Sequence, residues 1–176
     1  MTVSPIITAI RQRGSIREYT DEPVSRELLH AIVEAGVWAP SGLNNQPWRF
    51  VIVTDKAVRH RLAEQTHYHH IVRAAPACIA VYLDTEAMYD EVKDQQAAGA
   101  CIQNMLLAAE AYGLGAVWLG QILKNKQAVN QILGLDDRYD LMAVVALGHA
   151  AHRNQRSNRH PLAHFILKEL HQGEES

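Results

Sequence analysis

The sequence predicts an α+β fold on three observations. Four short runs are rich in β-branched and aromatic residues, about five runs carry helical signals, and strands and helices do not alternate regularly along the chain. A strict strand-then-helix order would instead point to a parallel α/β sheet. The 176 residues suffice to bury a core, no Pro- or Gly-rich stretch divides them, and no internal repeat is visible, so residues 1–176 are expected to form one domain.

Ser4 and Pro5 open the first helix, to about Gln12: serine caps free amides, and proline needs no amide partner in the first turn. Ser25 opens the second, whose Leu28, Leu29, Ile32, Val33 and Gly36 share one face, ending near Trp38 before Pro40. WRFVIVT, from Trp48 to Thr54, has the composition and length of a strand, and Asp55 caps a helix to about Gln65. ACIAVYL, from Ala77 to Leu83, reads as a strand buried on both faces. The longest helical run spans about Asp90 to Tyr112, with Gly113 suited to the left-handed position beyond its end. Its middle is apolar or small nearly all round, which suggests packing against a partner chain. GAVWL (Gly115 to Leu119) and LMAVVALG (Leu141 to Gly148) are the remaining strands. After a polar, arginine-rich stretch from His149 to Arg159, PLAHFILKEL offers a last short helix.

Lysine plus arginine number 17 against 19 aspartates plus glutamates, a formal net charge of -2, which provides no field to gather nucleic acid or an anionic membrane. No apolar run approaches a bilayer span, and MTVSPIITAIRQR lacks the order of a signal peptide, so a cytoplasmic protein is expected. Cys78 and Cys101 lie in apolar segments and read as buried hydrophobes rather than a disulfide or a catalytic thiol.

Two segments carry chemistry. In RQRGSIRE, the guanidinium groups of Arg11, Arg13 and Arg17 and the hydroxyl of Ser15 stand close together around Gly14, a donor set that suits a phosphate. A solvated surface turn accounts for the same residues. APSGLNNQPWRF, from Ala39 to Phe50, is a stiff loop presenting amides and carboxamides able to read the edge of a heterocycle. A structural turn explains Pro40, Gly42 and Pro47, but explains the string Asn44, Asn45, Gln46 and Trp48 less well.

The order RGSIREY, APSGLNNQPWRF, AAGACIQNMLLAAEAYGLGAVWLG, LGHA and a final arginine before proline resembles the nitroreductase family over residues from about 5 to 162. The resemblance implies a nitroreductase-like fold: a central mixed or antiparallel sheet of about four to five strands flanked by helices, in an intertwined homodimer with FMN at the interface. It puts Arg13, Gly14 and Ser15 at the FMN phosphate and ribityl chain, Arg17 toward the ring edge, and Arg159 at the phosphate. Pro40, Ser41, Gly42 and Asn44 match the segment covering the flavin from the second subunit, and Leu119 and Gly120 match the backbone near flavin N5. No side chain is implied as catalytic, because the flavin carries the chemistry. The implied reaction is two-step: NADH or NADPH delivers hydride to N5, then a small electron-poor acceptor such as a nitroaromatic or quinone takes it.

Three positions depart from the pattern: Gly14, where relatives carry a basic residue or histidine, Gly42, where serine is common, and HYHH at His67 to His70, near the polar contacts to the pyrimidine edge. His67, His69 and His70 lack an acidic or cysteine partner at a supportive spacing, so no metal is expected. His149 and His152 follow the last strand, beside the substrate mouth or as exposed loop residues. Three other readings stay open: a flavin-cleaving or reductive dehalogenase relative, a non-catalytic FMN-binding module, and a structural dimer without flavin. The short tract DTEAMYDEVKDQQ leaves little room for a lid and favours an open reductase.

Overall fold

The computed structural model describes residues 4–155 and 157–170; Arg156, in the arginine-rich stretch, and the extreme ends of the chain lie outside the described residues. Four strands, β1 (Trp48–Val53), β2 (Ala77–Asp84), β3 (Gly115–Leu119) and β4 (Tyr139–Gly148), form one sheet in the order β1-β2-β4-β3. Every pair is antiparallel, so the sheet is α+β in class as expected, with four strands among the described residues.

Side chains alternate across a strand, and β2 shows why the sheet needs cover on both faces: all eight of its residues are buried. Ala77, Ile79 and Val81, with Ala143, Val145 and Leu147 of β4, join the core beneath α2 (Arg26–Val37) and α5 (Glu91–Ala111). Cys78, Ala80 and Tyr82, with Val144 and Ala146, join a second core on the opposite face, formed with α3 (Lys56–Ala63), α4 (His69–Ala74) and α6 (Lys126–Leu133). Both cysteines are buried, and desolvation pushes each thiol up to about 12, so they behave as the small hydrophobes their neighbours imply.

Caps set the helix starts. The side chains of Ser25, Asp55 and Asp90 accept from the backbone N–H of Leu28, Val58 and Lys93. Ser4 makes no side-chain cap, so α1 (Pro5–Gln12) relies on proline in its first turn. At the far end of α5, Gly113 takes φ 74°, the left-handed conformation expected of it.

Three elements differ from expectation. PLAHFILKEL forms only a 3-10 turn, Leu162–His164, and its remaining described residues are irregular. Every described residue from Ala151 to Leu170 is exposed, so an amphipathic helix there lacks a surface within the chain to bury its apolar face. The helix capped by Asp55 stops at Ala63, and α4 begins six residues later at His69. Helix α6 is additional to the five runs read from the sequence; it ends at Gly134, φ 70°.

Candidate functional site

RGSIREY is clamped by backbone pairing rather than by side chains alone. Ser15 forms a parallel bridge with Ala116 of β3, Ile16 N donates to Ala116 O (3.0 Å), and Tyr19 bridges Ala150 just beyond β4. The Tyr19 hydroxyl lies 2.7 Å from Ile16 O and 3.1 Å from Ala146 O. Burial pushes this phenol above its ordinary range, so it remains a neutral donor. The segment sits this close because Gly115 and Gly148, paired across β3 and β4, carry no side chains. A Cβ on Gly115 would fall 2.6 Å from Ile16 Cγ2, and one on Gly148 would fall 2.4 Å from Pro76 Cδ and 3.2 Å from Tyr19 Cδ1.

The polar stretch after β4 runs back along this clamp. Thr20 N donates to His149 O and Ala151 N to Glu18 O. His152 Nδ1 lies 3.8 Å from Glu18, His149 Nε2 lies 3.6 Å from Glu22, and Arg153 makes a two-point ion pair with Glu110. A side chain on Gly14 would meet Gln155 Cβ at 3.9 Å, so the strap passes the phosphate candidates four residues before Arg159. Arg159 is exposed and donates to its neighbour's carbonyl, Asn158 O. Arg13, Arg17 and Arg159 form no ion pair with a carboxylate among the described residues.

Leu119 and Gly120 lie where β3 leaves the sheet. Leu119 is buried, while a Cβ at Gly120 would meet nothing within 4 Å. Its φ of −94° is open to any residue, so neither packing nor backbone conformation within the chain demands glycine there. The next residue ties in the histidine segment. Gln121 Oε1 accepts from Thr66 Oγ1 (2.7 Å) and from His67 N (2.8 Å), and Asn125 Nδ2 donates to Gln65 O. His67 is thereby tethered beside Gly120, with His69 and His70 exposed at the start of α4. The sequence signal for this link is only a glutamine after the LG pair, which reveals nothing of its partner.

Pro40–Asn44 belongs to a second, differently built unit. Leu43, Asn44 and Gln46 all take positive φ (53°, 56° and 47°), the costly left-handed region for residues with a Cβ. Side chains hold the loop in that shape. Ser41 Oγ accepts from Gln46 N, Gln46 Nε2 donates to Asn44 O, and Asn45 Nδ2 donates to Ala87 O (3.0 Å) and Asp94 Oδ1 (2.8 Å). Asp94, wholly buried in the first turn of α5, also accepts from Tyr89 N and Asp90 N. Desolvation opposes its ionisation, but these hydrogen bonds prevail and hold its carboxyl below the usual carboxylate range. Gly42 lies against Tyr89: a Cβ would fall 1.9 Å from the phenol oxygen, so a larger residue requires Tyr89 to move.

The candidates therefore fall into two groups. Arg13, Gly14, Ser15 and Arg17 run beside β3 through the Ser15–Ala116 bridge, Leu119 and Gly120 end β3, and Arg159 lies four residues past the point where the strap meets Gly14. Pro40, Ser41, Gly42 and Asn44 precede β1, at the opposite edge of a four-stranded sheet. Three strand spacings, roughly 14 Å, separate the two edges. Within one copy, Pro40, Ser41 and Gly42 lie against α5 beside Tyr89, Lys93, Ala97 and Ala100.

The sequence profile of the nitroreductase family matches residues 10–69 and 63–149. A Thermus thermophilus protein named NADH dehydrogenase is 35% identical over 195 residues, covering 91% of this chain and 94% of its own. Among solved structures, a Desulfovibrio desulfuricans protein in complex with FMN shares 53% identity at a TM-score of 0.92, over 97% of this chain and 99% of that one. The NADPH:FMN oxidoreductase of Vibrio harveyi, solved with NAD+, shares 26% identity at a TM-score of 0.85, over 98% of this chain and 80% of that one.

Proposed function

The chain belongs to the nitroreductase family, and from that premise we propose that it is an FMN-dependent oxidoreductase passing electrons from NADH or NADPH to a small electron-poor acceptor. The observation that carries the reading is the unobstructed backbone at Gly120, at the end of the strand to which Ser15 bridges, with Arg13 and Arg17 in no ion pair with a carboxylate among the described residues. A dianionic phosphate needs such donors, and Arg13, Ser15 and Arg159 would hold it, with Gly14 leaving the backbone accessible. Bound FMN supplies hydride chemistry at N5.

The chain's own residues position and polarise. Arg17, exposed and bonded among the described residues to Ser15 O (3.2 Å), would offset negative charge at the ring edge. The backbone at Gly120 would meet the ring with no side chain in the way. Pro40, Ser41, Gly42 and Asn44 would cover the ring from a second copy, which makes the site a property of a homodimer. Solvent-facing apolar residues support that assembly: Ile6, Ile7 and Ile10 of α1, Trp38 (82% exposed) and Leu43 (85% exposed).

No residue here is assigned a proton-transfer role. Among the described residues, no helix is long and apolar enough to cross a membrane, and no group of three or more His, Cys, Asp or Glu is placed to hold a metal ion. A single domain over residues 1–176 acting in the cytoplasm completes the proposal.

The test is the visible absorption spectrum of the purified protein, taken anaerobically before and after NADH and then NADPH. Flavin bands that bleach are the expected result and choose the donor. Bands that persist with both donors support a non-catalytic flavin carrier, and their absence after FMN reconstitution overturns the cofactor assignment.

A further inference from the structure

Where the edge strand β1 ends, a recess of about 910 Å³ opens between the start of α2, α3 and the end of α4. Four cations line it: Arg26, Lys56, Arg59 and Arg73. None forms an ion pair with a carboxylate among the described residues, and Asp21 is the one acidic residue in the lining. The nearby acid Asp55 is committed to capping α3 through Val58 N (2.8 Å).

Arg59 is the unusual member. It is 8% exposed, and its guanidinium donates to three backbone carbonyls, Thr54 O, Arg73 O and Ala75 O. Those bonds satisfy N–H groups and brace the end of α4, but carbonyl dipoles do not cancel a full charge, which is costly to bury without a counter-ion. Arg26 and Lys56 are the first residues of α2 and α3, where the helix dipole already makes the potential positive and disfavours a cation. Three elements thus bring four cations to one concavity, against Asp21 in the lining and Asp55 beside Lys56 as the nearby acids. Val24, Leu29, Ile52 and Pro76 supply apolar wall beside it.

We propose that this recess binds a phosphorylated organic molecule, with Arg26, Lys56 and Arg73 taking the phosphate oxygens over the buried charge of Arg59. Guanidinium and ammonium groups lining one recess suit phosphate oxygens, and the apolar wall fits the body of a nucleotide-sized ligand. The site is separate from the residues assigned to FMN, so it stands whether or not the flavin reading holds.

Calorimetric titration of the full-length, FMN-saturated protein tests it, using ADP, inorganic pyrophosphate and adenosine as probes at about 50 mM salt, where screening is weak. ADP and pyrophosphate are expected to bind and adenosine not to. A tighter fit for ADP assigns the apolar wall to an organic body; equal affinity assigns the site to phosphoryl groups alone. The combined Arg26→Gln, Lys56→Gln and Arg73→Gln variant leaves Arg59 and its three acceptors intact. It is expected to weaken ADP binding at least about tenfold, while flavin absorbance and NAD(P)H oxidation stay at the parent level. Absence of binding by both phosphates, or binding that the triple variant keeps unchanged, overturns the proposal.

Discussion

The two halves of the candidate site are held by different physics. Arg13–Tyr19 is fixed by main-chain pairing of Ser15 to Ala116 and of Tyr19 to Ala150, and by close approach to the paired Gly115 and Gly148. Pro40–Asn44 is fixed by side chains, chiefly Asp94, against three left-handed residues that resist its shape. Main-chain pairing to the strands spreads the restraint over many groups, whereas the loop has only short-range bonds of its own and is anchored to the rest of the chain chiefly through Asn45, to Ala87 O and the buried Asp94. Single substitutions should therefore damage the loop more readily than the clamp, except where they fill the glycine contacts.

The largest effect is expected from Asp94→Ala, which leaves Asn45 Nδ2, Tyr89 N and Asp90 N without their shared acceptor. A loss of about 3 kcal/mol in urea unfolding is expected, by the usual cost of removing hydrogen bonds to a buried charge. Flavin content should fall with it. A loss below about 1 kcal/mol would show that the loop holds its shape without Asp94.

Gly148→Val comes next, at about 2 kcal/mol, because its side chain must displace the Pro76 ring and the Tyr19 ring together. Tyr19→Phe should cost about 1 kcal/mol, one hydroxyl hydrogen bond, and leave flavin content nearly unchanged since the backbone bridges remain. If Tyr19→Phe abolished flavin binding, the contrast between the two halves would be wrong.

The pH dependence sharpens the same contrast. The Asp94 carboxyl is held below its ordinary value, so the unfolded chain takes up its proton first as pH falls. Its stabilisation is present in full above the ordinary carboxylate range and is lost as pH drops through the folded value. Asp84 behaves alike: hydrogen bonds from Arg138 lead the causes that lower its pKa, against desolvation, with Arg49 adding to the cage. Acid unfolding monitored by circular dichroism should be less steep in Asp94→Asn than in the parent, whereas Tyr19→Phe should follow the parent slope below pH 5. Equal slopes for Asp94→Asn and the parent would remove Asp94 from the acid response.

Gly120→Ala is expected to have the smallest effect on stability, under about 0.5 kcal/mol, because its φ suits alanine and the space is empty. Flavin retention should nevertheless drop, read from the visible absorbance of the purified variant. Parent-level retention would move the ring away from Gly120.

What the sequence conveyed follows the same division between local and distant causes. The caps at Ser25, Asp55 and Asp90, the turn at Gly113 and the apolar run Ala77–Leu83 of β2 are local signals, each lying in or beside the element that it defines. Helix α6 was not read because Lys126–Leu133 is short, half polar and stabilised by packing against the sheet. The reverse holds at Pro161–Leu170, whose apolar residues carry a helical pattern but stay exposed, covering no face among the described residues. Within the site, Arg13, Ser15 and Gly120 stand in recognisable motifs, but what holds them is not written nearby. Asn45 meets Asp94 across 49 positions and Thr66 meets Gln121 across 55. Such pairs are fixed by the fold, and no local pattern announces them.

Subunit mixing measures the central claim, that the two groups serve one flavin only across two chains. Arg13→Ala and Asn44→Ala chains, each poor in FMN alone, are unfolded, mixed in equal amounts, refolded and assayed for bound flavin. Half the dimers should be mixed, each with one unaltered site, so about one site in four should regain FMN. No recovery in well-folded mixed dimers, or FMN held tightly by a stable monomer of the parent chain, would contradict the account.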